Sequence, residues 1–401
     1  MAIVSADDIR GGLRRQEFVL YYQPKISLIS NRIVGAEALV RWQRADGTVL
    51  PPAAFIPVAE RHGLIKPLTQ QLLPLLIRDL AQPGLDGQAR VSLNVGSGDL
   101  EDRVLTAAIL DAIDGGRLRP ASLELEITET QALQSGACVL GNVQDLTTAG
   151  IGLAMDDYGI GYSSMDTLSQ WPFTTIKLDQ GIVVRMLGSD KNATIVRSSI
   201  RLGHELGLEV VAEGVETLCQ HDFLVEAGCG IAQGFLVSRP LPLDDFIAFC
   251  ANPGRCRGMP VGLVHMAIVD HVQWRRRMAS YAIQRSLLAA DAPLRQDGGH
   301  PPLCPTRCAL GKWYFGEGRY FAGTPMYRDL DAPHQRLHEV GARIVAAIRG
   351  GAGHAAIAPL LQELKQVSVG LIRLLEDLED AGLEALFMLP PIPACPADAS
   401  A

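Results

Sequence analysis

Long apolar runs are missing from this 401-residue chain. No stretch approaches the ~20 consecutive apolar residues that span a bilayer, and the opening MAIVSADDIR lacks the basic segment and apolar core of a secretory signal. A cytoplasmic protein without a membrane span is expected. An excess of positive charge is also absent: 36 Lys and Arg face 44 Asp and Glu, a formal charge of -8. That argues against a nucleic acid polymer as partner, whose surface requires clustered Lys and Arg. A small phosphate ligand stays compatible with that average, because local charge departs from it. The eight cysteines, at 138, 219, 229, 250, 256, 304, 308 and 395, follow no framework spacing. A disulfide scaffold is therefore not expected, and thiol or metal roles are open.

What is present is ample apolar material, 48% of the residues, in a length that suits two domains. From about residue 10 to 250, short apolar runs alternate with longer amphipathic ones. FVLYYQPKISL, GAEALVRW, RVSLNVG, LELEITET, GIGLAMDD, FTTIKLD, LEVVAEGV and IAQGFLVSRP read as strands. Segments such as Gln70 to Leu80, Val104 to Ile113 and Ala193 to Leu206 repeat apolar residues at helical spacing. The pattern is α/β, and a parallel (β/α)8 barrel leads over an open doubly wound sheet. No glycine-rich phosphate loop opens an early helix, which weakens the open sheet. After a Pro, Gly and Arg-rich linker at 251–262, residues 263–387 read as a small all-α bundle. Its helices are expected over 263–290, Asp331 to Ile348 and Ile357 to Leu386, with CALGKWYFGEGRYF and a Pro/Gly-rich loop, Asp291 to Thr306, between the first two. The Pro-rich tail, 388–401, reads as disordered.

Acidic and amide residues gather at the predicted strand ends: Glu37, Asn94, Glu126, Asp156, Asp157 and Glu213, with Lys177 among them. In a barrel those ends converge on one face. So many carboxylates repel one another unless cations bind, and oxygen-only donors suit two hard ions, Mg²⁺ or Mn²⁺. Paired ions suit in-line displacement at phosphorus. Lys177 would orient or deprotonate the attacking water, or neutralise a ligand oxygen. Asp156 and Asp157 close an apolar run and open the loop DDYGIGYSS; adjacent strand residues face opposite ways, so bringing both acids to one spot requires the strand to end there or a metal to draw them together.

In order along the chain, EALVRW, NVG, ELEITET, DDYGIGYSS, IKLD, VAEGVET and QGFLVSRPL resemble the EAL-domain phosphodiesterases, over residues 10–250. The resemblance implies a modified (β/α)8 barrel that opens cyclic-di-GMP to linear pGpG with Mg²⁺ or Mn²⁺. It implies metal ligation by Glu37, Asn94, Glu126, Asp156, Asp157 and Glu213, and positioning of the nucleophilic water by Lys177 and Gln233. Glu129 would anchor the loop after the paired aspartates, Arg41 would contact a substrate phosphate, and Gln23 and Glu216 would line the ligand site. Tyr158 and Ile160 depart from the family's usual DDFGTGYSS or DDFGAGYSS. A catalytically silent receptor of the dinucleotide is the alternative, and such members lack several of the acids found here.

In the second region His334 and His338 lie one helical turn apart, with Cys308 in CALGKWY and His271 in HVQWRR. Three imidazoles and a thiolate make a zinc set. This constellation resembles the chemoreceptor zinc-binding (CZB) domain, over about residues 263–348. It implies one Zn²⁺ on His271, Cys308, His334 and His338, and a homodimer. Oxidation of a zinc thiolate removes a ligand, so zinc or oxidants are expected to modulate the barrel's activity. Cys304, four residues before Cys308, is a candidate resolving thiol or an incidental loop cysteine. No input module precedes the barrel in this sequence, so the input is expected from the C-terminal side.

Overall fold

The computed structural model describes residues 4–30, 32–83, 85, 89–134, 136–159, 164–251, 261–287 and 299–387. Ile160, most of the linker and the 388–401 tail lie outside them. The chain divides into two compact units between Gly258 and Met259. Among the described residues no helix is long and apolar enough to cross a membrane.

The first unit is built on β1 (Phe18–Ser27), β2 (Ile33–Gln43), β3 (Val49–Leu50), β4 (Arg90–Asn94), β5 (Leu123–Thr128), β6 (Gly152–Tyr158), β7 (Thr175–Leu178), β8 (Glu209–Ala212) and β9 (Ile231–Gln233). The order is β1-β9-β8-β7-β6-β5-β4-β2-β3, and β1 also pairs with β2, so eight strands close into a barrel and β3 is a short appendage on β2. The all-parallel expectation needs one correction: β1 runs antiparallel to both β2 and β9. The cause is the connection. Five residues, 28–32, separate β1 from β2, enough for a hairpin but far short of the dozen or more that a parallel crossover requires. From β2 through β4 to β9 every pairing is parallel. Of the run IAQGFLVSRP only Ile231–Gln233 is strand.

Helices pack outside this ring. Helix Ile65–Leu80 buries Leu68, Leu72, Leu73, Leu76, Ile77 and Leu80, the stripe expected of one face at helical spacing. Helix Asp190–Leu206 lies close to β8 at Gly203, where an added Cβ would stand 2.4 Å from Val210 Cγ2. In β5 the sequence LELEIT sends Leu125 and Ile127 to one face and Glu124 and Glu126 to the other, and all four are buried. The interior therefore holds charge where branched apolar side chains usually fill such barrels.

The second unit is helical: Val261–Leu287, Ala309–Phe315, Pro325–Asp329, Asp331–Arg349 and His354–Phe387, with a 3₁₀ turn at Glu317–Phe321. The three long helices fall within a few residues of their expected limits. The short helix Ala309–Phe315 falls in a stretch whose glycines and aromatics mask any period. Helix Asp331–Arg349 comes close to Val261–Leu287 at Gly341, where a Cβ would meet the Trp274 ring at 2.8 Å. Leu371, Leu375 and Leu378 on the last helix complete the core.

Candidate active site and candidate zinc centre

The register sets the polar groups at one end of the barrel. Gln23 of β1 faces Glu37 of β2, Asn94 is the partner of Glu126, and Thr128 is the partner of Asp156. The problem of two adjacent acids is solved by the backbone. Pairing between β6 and β7 slips by one residue between Met155 and Tyr158, and Asp157 takes a left-handed conformation, φ 58°. A bulge with a left-handed residue re-aims the side chain. For an L-residue other than Gly it is held at a cost of about 1–3 kcal/mol.

Lys177 stands at the centre. Its Nζ lies 2.5 Å from Glu126, 2.6 Å from Glu213, 3.1 Å from Asp156 and 3.5 Å from Glu37. Glu37 is gripped on both oxygens, by Asn94 Nδ2 at 2.6 Å and by Gln233 Nε2 at 2.6 Å. Gln233 Nε2 also donates to Gln23 Oε1 at 3.2 Å. The cluster thus unites Gln23, Glu37, Asn94, Glu126, Asp156, Lys177, Glu213 and Gln233. Asp157 is half-buried beside it, and Lys177, Glu37 and Asp179 act on its carboxyl.

Two ammonium groups, those of Lys177 and Lys25, cannot balance these acids. Burial, reinforced by Asp156, Glu37 and Glu126, pushes Glu213 up to about 8 in spite of Lys177. Burial likewise raises Glu37, Asp156 and Asp157. Glu126 is the exception: burial would raise it, but Lys177 and Lys25 hold it down to about 2. Lys177, also opposed by burial, is held well above its ordinary value by Glu126, Glu213, Glu37 and Asp156. Asp156 Oδ1 is buried, and the Lys177 ammonium at 3.1 Å, shared with three other acids, is its partner. An all-oxygen set with surplus negative charge, its acids raised by burial despite the lysine among them, fits hard divalent cations.

Two of the expected residues stand apart. Arg41 is half-buried over the Tyr21 ring, 5.6 Å from its centroid, and donates to the Val40 carbonyl. Glu216 is exposed in the loop after β8, its backbone N–H bonded to Gln220. Glu129 is buried as the first residue of helix Glu129–Gln134, and its charge acts on Tyr158; residues 160–163 of the loop it is expected to anchor lie outside the described ones. Sequence reasoning overlooked Lys25. Its position in YYQPK was the available signal: two residues beyond Gln23, it shares that residue's face of β1.

In the helical unit Cys308, His334 and His338 come together, their ligand atoms within 4.8 Å of one another. Cys308 Sγ lies 3.2 Å from His334 Nε2 and 3.3 Å from His338 Nε2. His271 lines the same small cavity, and its Nε2 is 2.8 Å from Ser368 Oγ, which leaves Nδ1 as its only ring nitrogen for an ion. Burial pushes His271 down to about 3 and His334 and His338 to about 4, so the imidazoles are neutral, as ligands must be. Cys308 caps helix Ala309–Phe315, its Sγ accepting from the Gly311 N–H at 3.2 Å. Only glycine fits there, because a Cβ on Gly311 would sit 1.8 Å from the Pro305 carbonyl oxygen. Burial raises the Cys308 thiol to about 11. Cys304 is exposed and bonded to Thr306 Oγ1. Buried neutral imidazoles around a sulfur that accepts a backbone N–H fit a zinc ion.

Residues 6–240 match the EAL domain family, and residues 271–345 match the chemoreceptor zinc-binding domain. The cyclic di-GMP phosphodiesterase RocR of Pseudomonas aeruginosa is 39% identical over 251 residues, which are 62% of this chain and 64% of that protein. The cyclic di-GMP phosphodiesterase PdeR of Escherichia coli is 32% identical over 240 residues, 60% of this chain and 36% of that one. The chain thus spans less than two thirds of the length of these curated relatives. Among solved structures, a PaMucR phosphodiesterase in complex with c-di-GMP aligns with a TM-score of 0.56 at 33% identity, covering 60% of this chain and 98% of that one.

Proposed function

Because the chain belongs to the EAL domain family and carries a chemoreceptor zinc-binding domain, we propose that it hydrolyses cyclic-di-GMP to linear pGpG. The observation that carries this reading is the buried oxygen cluster around Lys177, whose acids exceed the protein's own positive charge. Glu37, Asn94, Glu126, Asp156, Asp157 and Glu213 would hold two Mg²⁺ or Mn²⁺ ions. Bound there, such ions supply a water of lowered pKa and charge for the phosphoryl oxygens.

The remaining work falls to the chain. Lys177, kept protonated by the acids around it, acts as a donor that orients the attacking water and offsets charge gathering at phosphorus. Gln233 uses its amide nitrogen to fix Glu37, while its buried Oε1 has no hydrogen-bond partner among the described residues and is free to accept from that water. Glu129 supports the loop after Asp157. Arg41 contacts a phosphate, and Gln23 and Glu216 border the dinucleotide.

In the C-terminal unit Cys308, His334 and His338 would hold one Zn²⁺, with His271 of the same cavity as the fourth ligand, and its occupancy or the oxidation of Cys308 would modulate turnover. The domains are those read from the sequence, 10–250 and 263–387, in a cytoplasmic homodimer. The experiment is to incubate the purified chain with cyclic-di-GMP and Mg²⁺ or Mn²⁺, with and without a tight zinc chelator, and to chromatograph the products. Appearance of pGpG is expected, at a rate that changes with zinc. Binding without pGpG would make the chain a silent receptor, and an identical rate across zinc occupancies would remove the regulatory part.

A further inference from the structure

Lys25 lies on β1 with only 4% of its surface exposed. Its Nζ donates to Ser92 Oγ at 2.8 Å and to Glu126 Oε1 at 3.0 Å, and stands 3.4 Å from Glu124 Oε2. Glu124 is secured in turn by Thr175, whose Oγ1 donates to its Oε1 at 2.6 Å. The other oxygen of Glu126, Oε2, receives Lys177 at 2.5 Å. The two oxygens of one buried carboxylate are therefore divided between two ammonium groups from different strands. Rotation of the Glu126 carboxylate, itself only 1% exposed, would break both charge-assisted contacts at once.

We propose that Lys25 is a positioning residue of the metal site: it occupies Glu126 Oε1, so that Glu126 meets the catalytic ions through Oε2 alone. This rests on the metal-dependent reading of the cluster. Lys25 touches neither substrate nor reacting atoms in this account. Removing it frees Glu126 to rotate or to offer both oxygens, which alters the geometry that the ions find. Partners of this kind typically govern roughly 10–100-fold in metal affinity or activity. A lysine that merely filled the barrel interior would affect folding stability and leave ion affinity unchanged.

The test uses the full chain. Mn²⁺ binding is titrated by the electron paramagnetic resonance signal of the free ion, alongside kcat and KM for cyclic-di-GMP. Lys25→Met keeps an unbranched side chain without the charge. We expect Mn²⁺ to bind at least about tenfold more weakly, with KM at saturating Mn²⁺ within about twofold of the unaltered chain, because Lys25 does not border the substrate. Ser92→Ala, which leaves the charge but removes a hydroxyl that anchors Lys25 and also bonds Glu126, should weaken Mn²⁺ binding in the same direction. A folded Lys25→Met protein that binds Mn²⁺ as tightly as the unaltered chain would overturn the proposal. If Lys25→Met does not fold, unchanged Mn²⁺ affinity in Ser92→Ala overturns it instead. Failure of the unaltered chain to bind Mn²⁺ at all would show that the metal reading itself is wrong, and the role of Lys25 falls with it.

Discussion

Gln233 Nε2 donates to Glu37 Oε2 across 2.6 Å, tying the end of β9 to the middle of β2 through the barrel mouth. The next residue makes this contact sensitive to a single methyl group. An added Cβ on Gly234 would meet the Val215 backbone, 2.2 Å from its oxygen and 2.3 Å from its nitrogen. Neither is a flexible side chain that can swing aside. Gly234→Ala is therefore expected to displace Gln233 and to lower kcat by up to about a hundredfold, the cost of a misplacement of about 1 Å. The barrel's circular dichroism should stay near that of the unaltered chain. Full activity in Gly234→Ala would show that the Gln233 contact does not matter.

Lys177→Met should leave Glu126, Glu213, Asp156 and Glu37 buried without the ammonium they share. Breaking a buried ion pair on one side typically costs about 3–5 kcal/mol. Urea unfolding in the presence of a chelator is expected to show a loss of that order, and added Mn²⁺ should recover part of the stability without restoring turnover. A loss under about 1 kcal/mol would mean that the acids are already neutral in the metal-free chain.

Much of this site was legible because strand-end acids stand out against apolar runs. Glu37, Glu126, Asp156 and Glu213 each follow such a run, and a barrel carries them to one mouth. What was not legible depends on three-dimensional details that one-dimensional patterns do not carry. The antiparallel course of β1 follows from a short connection rather than from its own residues. The left-handed backbone at Asp157 is a device that the run GIGLAMDD does not announce, since it re-aims one of two neighbouring acids. Lys25 was hidden because a lysine two places from Gln23 reads as ordinary surface charge until its burial is seen. Arg41 and Glu216 belong to the same motifs as the cluster residues, yet one rests over Tyr21 and the other is exposed, which suits groups that meet a ligand rather than each other.

The helical unit should be acid-sensitive. His271, His334 and His338 are held at about 3, 4 and 4 by burial, below the ordinary value of about 6.5. Their stabilising contribution is complete above about 6.5, where folded and unfolded imidazoles are both neutral. As the pH falls, the unfolded chain takes up protons first, so stability is lost progressively from about 6.5 toward 4 for His334 and His338 and toward 3 for His271. Protonation also competes with zinc, in the same direction. Zinc content after gel filtration, measured across this window, is expected to fall with pH, together with helical ellipticity. Retention of zinc and helix at pH 4 would contradict the assignment.

Gly311→Ala tests the sulfur's position. The new methyl group cannot coexist with the Pro305 carbonyl at 1.8 Å, so the N–H that Cys308 Sγ accepts must move. Zinc content should drop at least about tenfold at limiting metal, as for Cys308→Ala, while the EAL barrel keeps its own unfolding transition. Stoichiometric zinc in Gly311→Ala would show that the cap does not set the ligand geometry.

The most direct test of the phosphodiesterase is hydrolysis in ¹⁸O-labelled water, with Mn²⁺ and cyclic-di-GMP, read by mass spectrometry of the product. The account expects linear pGpG carrying one labelled oxygen on its terminal phosphate, and none from Glu37→Ala, which removes the carboxylate held by Asn94 and Gln233. Intact cyclic-di-GMP after incubation of the folded chain with either Mg²⁺ or Mn²⁺ would contradict it.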